Sequence, residues 1–355
     1  MLKQNRYRAI GVMSGTSLDG VDLCEVDFFY HQNKWSYKIL KTQTISYETE
    51  WKKNLEHAHK LPKKDIKILD EKYCKLLSQF ILKFMDKPDE IDMVCSHGHT
   101  IWHQPEKGWT YQIGNLEILS QLIQKTVVCD FRTADVALGG QGAPLVPIGD
   151  ELLFGDYDYC LNIGGFVNIS YQQGNDRLAY DICPANKILN LYAEKFGVEY
   201  DDKGKIASQG LCQQDLFAQL NALDFYKKTI PPKSLGVEWL EKELLPEIES
   251  FKISNEDILN TLSHHIAYQI SKALKVRNAQ VLITGGGAYH DYLIKCLKKY
   301  ASDIEIHIPN PKIIDYKEAL IFGLLGVLRY RGENNVLKSV TGAKKDHSSG
   351  KVFKL

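Results

Sequence analysis

The spacing of apolar and polar residues predicts a chain in which strands and helices follow one another throughout. In the first third, short apolar runs and two-residue alternation predict strands at residues 8–12, 22–30, 35–47 and 93–95. Apolar residues at helical spacing predict helices at residues 51–61 and 64–85, with Pro62 between them. This part of the chain is therefore expected to form an α/β unit.

The second half of the chain shows the same succession of predicted strands and helices. Strands are predicted at residues 159–163, 167–171, 178–182 and 281–284. Helices are predicted at residues 184–196 and 255–274, and Ser254 is the expected N-cap of the second. The pattern predicts a second α/β unit after the first.

A turn between the first two predicted strands combines glycines, hydroxyls and carboxylates. Glycine lets the backbone approach a ligand closely, hydroxyls and turn N–H groups bind anions, and carboxylates bind Mg²⁺. The candidate phosphate-binding residues are Ser14, Gly15, Thr16, Ser17, Leu18, Asp19, Gly20 and Asp22. Asp19 and Asp22 are the candidate metal ligands. An ordinary β-hairpin turn has a similar composition, so this turn alone leaves both interpretations open.

Two further glycine turns favour the nucleotide interpretation. One interrupts the strands at residues 159–163 and 167–171, and the other follows the strand at residues 281–284. The candidate residues for nucleotide binding here are Gly164, Gly165, Asn168, Gly285, Gly286 and Gly287. Recurrence of a strand, glycine turn and strand predicts a duplicated fold that binds one nucleotide.

The order of the motifs resembles the anhydro-N-acetylmuramic acid kinase family, within the actin, sugar-kinase and chaperone-ATPase superfamily. The resemblance extends from about residue 8 to residue 352, and residues 127–147 match the family pattern most specifically. Supporting motifs lie at residues 96–100, 112–114, 161–170, 231–234, 285–287, 318–320 and 340–343. The resemblance implies a two-lobed actin/hexokinase-like (ribonuclease-H-like) duplicated α/β fold with an interdomain nucleotide cleft. The expected lobes are residues 1–130 plus about 316–355, and residues 131–315.

The resemblance also implies an activity. A kinase of this family uses ATP and Mg²⁺ to phosphorylate O6 of 1,6-anhydro-N-acetylmuramic acid while water opens the anhydro bond, a step of peptidoglycan recycling. Asp181, at the end of a predicted strand, is the expected catalytic base. From the sequence alone, Asp181 could equally cap the helix that follows it.

The same resemblance implies a set of sugar contacts. The residues concerned are His97, Gly98, Arg132, Asp135, Gly140, Asn186 and Glu318. A structural histidine, an ion pair between Arg132 and Asp135, and a solvated helical Glu318 are the competing interpretations.

Three residues depart from the family pattern. Cys183 and Ala185 replace glycines in the segment that begins at Asp181, and Asn115 stands where the family has aspartate. The departures leave another amino-sugar kinase of the superfamily as an alternative. An actin-like ATPase or chaperone-type lobe without sugar chemistry is the alternative from a different class.

The composition of the chain limits the classes of partner that we expect it to bind. The 44 basic and 44 acidic residues of the 355-residue chain cancel, which gives no electrostatic case for nucleic acid or an acidic membrane surface. The eight cysteines have no metal-ligand spacing, and no apolar segment suits a signal peptide or a membrane span. We therefore expect a cytoplasmic protein, and the resemblance implies an enzyme with a small amino-sugar substrate and is compatible with a homodimer.

Overall fold

A computed structural model describes residues 5–15, 18–227 and 233–355, and the chain divides into two compact units. The first unit contains Met1–Leu153 and Tyr316–Leu355, and the second contains Phe154–Asp315. Two of the candidate residues, Thr16 and Ser17, lie outside the described residues, as do the two prolines of the motif at residues 231–234.

The first unit is built on a six-stranded sheet. Its strands are β1 (Arg6–Met13), β2 (Gly20–His31), β3 (Lys34–Ser46), β4 (Met93–Ser96), β7 (Thr126–Cys129) and β13 (Lys351–Phe353). A separate hairpin consists of β5 (His99–Gln104) and β6 (Trp109–Ile113). The helices are α1 (Thr49–His57), α2 (Lys63–Phe84), α3 (Ile118–Ile123), α4 (Thr133–Ala137), α5 (Pro147–Phe154), α13 (Pro311–Arg331) and α14 (Lys338–Thr341). The unit boundaries fall within α5 and α13.

The second unit is built on a five-stranded sheet. Its strands are β8 (Tyr159–Ile163), β9 (Phe166–Gln173), β10 (Asp176–Pro184), β11 (Gln280–Thr284) and β12 (Glu305–His307). Its helices are α6 (Asn186–Ala193), α7 (Gln214–Asn221), α8 (Asp224–Lys227), α9 (Val237–Trp239), α10 (Leu245–Glu249), α11 (Asn255–Ala273) and α12 (Asp291–Tyr300). A π-helical segment, Leu240–Leu244, connects α9 to α10.

The two sheets share one topology. The strand order is β3-β2-β1-β4-β7-β13 in the first unit and β10-β9-β8-β11-β12 in the second. In each unit the first three strands form an antiparallel meander, and the next two run parallel to the first of them. This common arrangement confirms the duplicated ribonuclease-H-like fold that the sequence predicted.

Small residues allow α13 to pack closely on the first sheet. A Cβ added to Gly11 in β1 would lie 1.8 Å from the carbonyl oxygen of Ala319. A Cβ added to Gly326 would lie 2.1 Å from Sγ of Cys95 in β4. Glycine at both positions therefore allows β1 and β4 to pack closely against α13. The first glycine turn, which follows β1, is thereby fixed beside the helix that carries Glu318.

The segment between residues 131 and 153 differs from the expected domain division. We expected it to open the second lobe, but it belongs to the first unit. The reason is a set of buried hydrogen bonds to the C-terminal segment. The Ser349 hydroxyl donates to the carbonyl of Phe131 at 2.5 Å, and the Thr341 hydroxyl donates to the Asp135 carboxylate at 2.7 Å.

Within the described ranges, we find no helix whose length and apolar content would allow it to cross a membrane.

Candidate active site

Asp181 lies near the end of β10, the third strand of the meander in the second unit. Asn168 Nδ2 donates a hydrogen bond to one carboxylate oxygen, and the backbone N–H of Leu235 donates to the other at 2.8 Å. The Ser234 side chain also hydrogen-bonds the carboxylate. The backbone N–H of Asp181 donates in turn to the carbonyl of Lys233 at 3.0 Å. The carboxylate is therefore held in one orientation from two directions.

A β-bulge accompanies this residue. Asp181 pairs with Asn168 and Cys183 pairs with Val167, so Ile182 is the extra residue on β10. Bulges redirect side chains near the ends of strands and are frequent beside active sites. Helix α6 has Ala185 at its N-cap position without a side-chain cap, so Asp181 does not cap it.

The electrostatic environment of Asp181 suits a base. Desolvation raises the pKa of its carboxyl, and the hydrogen bonds from Leu235, Asn168 and Ser234 oppose that increase. A raised pKa makes a carboxylate a stronger proton acceptor, provided that it stays ionised at the working pH.

The second glycine turn connects β8 to β9 beside α6. The backbone N–H groups of Ala185 and Asn186 donate to the carbonyls of Gly165 and Gly164 at 2.8 and 3.0 Å. A Cβ added to Gly165 would lie 3.7 Å from its nearest neighbour, Lys187 Cβ, and one added to Gly164 would lie 3.5 Å from its nearest. Neither glycine has a positive φ. The fold itself thus has room for a side chain at both positions.

The three glycines after β11 differ in whether the fold requires glycine at their positions. Gly285 has φ +80°, and a Cβ on Gly287 would lie 2.1 Å from Cγ2 of Ile163. These two glycines are required by the fold. A Cβ on Gly286 would meet only the end of the Asn186 side chain, at 3.3 Å.

Asn186 and Asn168 lie in unexpected surroundings. Asn186, predicted to contact the sugar, donates to the carbonyl of Ile163 at 3.4 Å and lies beside Gly286. Asn168, predicted to contact the nucleotide, instead binds the Asp181 carboxylate. Their expected contacts with sugar and nucleotide stay predictions.

The first glycine turn, in the other unit, rests on a buried polar cluster. The Ser14 hydroxyl lies 2.7 Å from the Tyr47 hydroxyl and 2.9 Å from Nδ1 of His99, and the Tyr47 and Tyr73 hydroxyls are 2.5 Å apart. The Ser14 side chain therefore points into the core, and its expected contact with phosphate stays a prediction. Burial lowers the pKa of His99 to about 4, so its imidazole is neutral.

The remainder of this turn leaves the metal candidates near the surface. The Leu18 N–H lies 3.5 Å from the carbonyl of Gly15, and Asp19 is exposed. Asp22 accepts a 2.6 Å hydrogen bond from the Thr44 hydroxyl. Gly20 is needed because a Cβ there would lie 2.4 Å from the carbonyl oxygen of Ile45 in β3. Among the described residues, no group of three or more histidine, cysteine or acidic side chains has the arrangement of a metal site.

Arg132 and His97 form a pair at the ends of β7 and β4. Arg132 Nε donates to Nε2 of His97 at 2.9 Å, and the other ring nitrogen lies 2.9 Å from the carbonyl of Gly98. Desolvation, with the charge of Arg132, lowers the pKa of His97 well below its ordinary value. Both nitrogens of His97 are thus engaged within the protein. The expected contact between His97 and the sugar stays a prediction.

Asp135 organises the loop after α4. The carboxylate has no exposed surface and accepts hydrogen bonds from the N–H of Gly142 at 2.6 Å and the Thr341 hydroxyl at 2.7 Å. A Cβ on Gly140 would lie 2.2 Å from Asp135 Oδ2. Buried in this way, Asp135 and Gly140 shape the loop after α4, and their expected contacts with substrate stay predictions.

The guanidinium of Arg132 links that loop to α13. Its Nη1 donates to the carbonyl of Gly142 at 2.6 Å, and desolvation lowers its pKa to about 10 against the opposing charges of Glu318 and Asp135. Glu318 is exposed to solvent, yet the protein atoms around it raise the pKa of its carboxyl by desolvation, while the charges of Arg132 and Lys317 lower that pKa. Arg132 and Glu318 therefore provide one positive and one negative group in the same electrostatic neighbourhood.

The family departures are accommodated inside the protein. Cys183 and Ala185 have no exposed surface and belong to the core of the second unit. Asn115 is 9 % exposed, and its amide lies 3.4 Å from the carbonyls of His97 and Gln112. These side chains therefore support the loops that carry Asn186 and His97.

One functional element escaped the residue-by-residue predictions. Lys233, Ser234 and Leu235 hold Asp181, although the sequence assigned Lys233 and Ser234 only to a family motif without a role and did not single out Leu235. The sequence signal for this segment was the polar pair Lys233 and Ser234, which directly follows two prolines.

Comparison with known proteins identifies the family. The model of the family described as anhydro-N-acetylmuramic acid kinase matches residues 7–355. An anhydro-N-acetylmuramic acid kinase of Mannheimia succiniciproducens is 33% identical, over 97% of this chain and 98% of that protein. Those of Sulfurovum sp. and Bacillus cereus are 33% and 30% identical and cover 98% and 96% of this chain, with 99% and 98% of their own length matched. The chain belongs to the anhydro-N-acetylmuramic acid kinase family.

Proposed function

We propose that this protein is an ATP-dependent kinase that hydrolytically opens 1,6-anhydro-N-acetylmuramic acid and phosphorylates O6, giving N-acetylmuramic acid 6-phosphate. The observation that carries the proposal, together with the family membership, is the Asp181 carboxylate. It has a raised pKa, a fixed orientation and a position at the end of β10, beside the glycine turn of the second unit.

Asp181 acts as the base. It accepts a proton from water, and the resulting hydroxide bonds to the anomeric carbon as the anomeric bond to O6 breaks. The released O6 then bonds to the γ-phosphorus of ATP as the bond from phosphorus to the ADP oxygen breaks. Phosphorylation of O6 removes the group that would otherwise close the ring again.

Arg132 and Glu318 are the polar groups proposed to bind the sugar. A guanidinium donates to hydroxyl or carbonyl oxygens, and a carboxylate accepts from sugar hydroxyls. His97 orients Arg132, while Asp135, Gly98 and Gly140 shape the loops around it. Asn186 lies beside Gly286 and is proposed to contribute where sugar and nucleotide sites adjoin.

The glycines with room for a Cβ are proposed to bind ATP. Gly164, Gly165 and Gly286 have neither a positive φ nor a backbone neighbour within 3.4 Å that would exclude a side chain. Glycine at these positions is therefore explained by a ligand that approaches the backbone. The Gly15–Gly20 turn is proposed to bind phosphate through its backbone.

Asp19 and Asp22 suit Mg²⁺, which usually takes one or two carboxylates together with substrate phosphates and water. Both are acidic residues of the first glycine turn, and Asp22 also bonds to Thr44. When bound, Mg²⁺ would neutralise charge that develops on the transferred phosphate.

The second candidate function is that of another amino-sugar kinase of the superfamily, because Cys183 and Ala185 replace glycines of the family pattern. Their complete burial favours the first candidate, since neither side chain is exposed to meet a substrate. A cytoplasmic location and a role in peptidoglycan recycling follow from the proposed substrates.

The test is mass analysis of products formed from ATP and a panel of amino sugars. We expect N-acetylmuramic acid 6-phosphate from the anhydro sugar and no product with Asp181→Asn. Asp176→Asn, an exposed acid at the beginning of the same strand, is the matched control and should retain activity. Turnover of a different sugar with greater efficiency would favour the second candidate, and ATP hydrolysis without sugar product would contradict both.

A further inference from the structure

A cavity of about 350 Å³ opens beside the segment that holds Asp181. Phe225, Lys233, Ser234 and Trp239 contribute to its walls. Its volume is within the range of about 300–1,000 Å³ that is usual for small-molecule sites.

The cavity is connected to the proposed base by direct contacts. The Ser234 side chain hydrogen-bonds the Asp181 carboxylate, and the Lys233 carbonyl accepts the Asp181 N–H at 3.0 Å. A ligand in the cavity would therefore lie against the same three-residue segment that fixes Asp181.

Aromatic rings position the ammonium group of Lys233. Its Nζ lies 4.4 Å from the ring centroid of Phe225 and 5.8 Å from that of Tyr180. The Phe225 and Trp239 rings are 5.3 Å apart, which gives an apolar wall beside the charge. A half-buried cation among aromatic faces suits a ligand that carries both an apolar surface and an anionic group.

The acidic residues of the cavity occupy its exposed edge. Asp224 forms an exposed ion pair with Lys227 at 2.7 Å, and Glu243 is exposed. Charges at an exposed edge are screened by water, whereas Lys233 is half-buried, so its ammonium group is screened less than these two carboxylates.

We propose that the cavity is the subsite for the anionic lactyl ether substituent of the sugar, and that Lys233 is the residue that selects a carboxylate there. This inference rests on the proposed function, because the lactyl ether of muramic acid carries the only charge of the anhydro sugar at neutral pH. An anhydro sugar without that ether, 1,6-anhydro-N-acetylglucosamine, lacks the matching group.

The experiment compares kcat/KM for three substrates: the anhydro-muramic sugar, its methyl ester and 1,6-anhydro-N-acetylglucosamine. The ester keeps the shape and removes the charge. We expect Lys233→Met to lower kcat/KM for the carboxylate sugar by roughly 10- to 100-fold, as expected for loss of a charged hydrogen bond. The two uncharged sugars should change by less than about threefold, so the preference for the carboxylate should largely disappear.

Two variants separate charge recognition from a structural effect. Lys233→Arg keeps the charge and should retain most of the preference, whereas Lys227→Gln removes a charge from the neighbouring exposed pair and should leave all three values unchanged. Equal losses for all three sugars in Lys233→Met, or no loss for any, would overturn the proposal.

A calorimetric measurement without ATP distinguishes this proposal from the proposed function. Lys233→Met should bind the carboxylate sugar and its methyl ester equally, while the unmodified protein should prefer the carboxylate. If the unmodified protein binds with that preference but forms no phosphorylated sugar, the proposed function fails and the subsite stands. If it binds both equally, the subsite is wrong even when turnover occurs.

Discussion

Arg132 Nε donates a 2.9 Å hydrogen bond to Nε2 of His97, so this imidazole nitrogen is an acceptor and carries no proton. The proton of the neutral ring must then be on Nδ1, which lies 2.9 Å from the carbonyl of Gly98. One contact thus assigns the tautomer of His97 and directs the guanidinium toward the loop that carries Gly142.

The first prediction concerns that tautomer. The pKa of His97 is well below its ordinary value because of desolvation and the charge of Arg132. We therefore expect nitrogen NMR of labelled protein to show protonated Nδ1 and unprotonated Nε2 from about pH 8 down to about pH 5, where a free histidine would be largely protonated. A protonated Nε2 at neutral pH would contradict the assignment.

The second prediction separates two kinds of glycine. Gly287→Ala places a Cβ 2.1 Å from Ile163 and should lower the free energy of unfolding by about 1–3 kcal/mol. Gly165→Ala places a Cβ in ordinary van der Waals contact with Lys187, at 3.7 Å, and should change that free energy by less than about 0.5 kcal/mol. If a nucleotide approaches Gly165, this variant should nevertheless raise the KM for ATP by roughly tenfold, which corresponds to ~1.4 kcal/mol. Thermal melts measure the change in stability, and ATP titration measures the KM. An unchanged KM for ATP in Gly165→Ala would show that Gly165 does not belong to the nucleotide site.

The third prediction is a change in pH dependence. The Asn168 amide stabilises the ionised carboxylate of Asp181, so Asn168→Ala should raise the pKa of Asp181 further. The base works only when ionised, and the acidic limb of kcat/KM should therefore move to higher pH, by about one unit. Gln172→Ala, an exposed position on the same strand, is the control and should leave the profile unchanged. Movement to lower pH would show that the amide does not act in this way.

The fourth prediction concerns Ser14. Ser14→Ala removes the buried hydroxyl between Tyr47 and His99 and should lower the free energy of unfolding by about 1–3 kcal/mol, measured by denaturant unfolding. Tyr47→Phe should have a related cost, and the double variant should cost less than the sum because both residues belong to one network. Full additivity would show that the hydroxyls act independently. A loss of phosphate affinity in Ser14→Ala without loss of stability would support the direct contact that the sequence suggested.

Much of the fold could be predicted because each strand and helix is specified by its own residue pattern. Residues 8–12 and 159–163 were predicted as strands, and both are the first strands of their meanders, as β1 and β8. The predicted helix at residues 255–274 is α11, with Ser254 accepting the N–H of Asp257 as its cap. Such features depend on neighbours within a few residues.

The roles of side chains at the site depend on more distant residues. Ser14 turns inward because of Tyr47 and His99, which are separated from it by 33 and 85 positions. Asp135 is buried by Thr341, 206 positions away. No local pattern contains these partners, so the sequence indicated which residues belong to the site without showing which of them are exposed.

Asn168 is an intermediate case. It pairs directly with Asp181 across the hairpin of β9 and β10, and the register of that hairpin would have placed the two together. The sequence assigned Asn168 to the nucleotide because it follows Gly164 and Gly165. That contact with the nucleotide stays a prediction, whereas the contact with Asp181 follows from pairing across the sheet.

The most direct test of the central claim is product analysis after reaction with magnesium-ATP and 1,6-anhydro-N-acetylmuramic acid in oxygen-18 water. If Asp181 activates water for ring opening and the released O6 takes the phosphoryl group, the product should be a sugar 6-phosphate with one heavy oxygen at the anomeric carbon, absent with Asp181→Asn. A phosphorylated sugar without the heavy oxygen, measured before exchange at the anomeric carbon, or an undiminished yield with Asp181→Asn, would contradict the account.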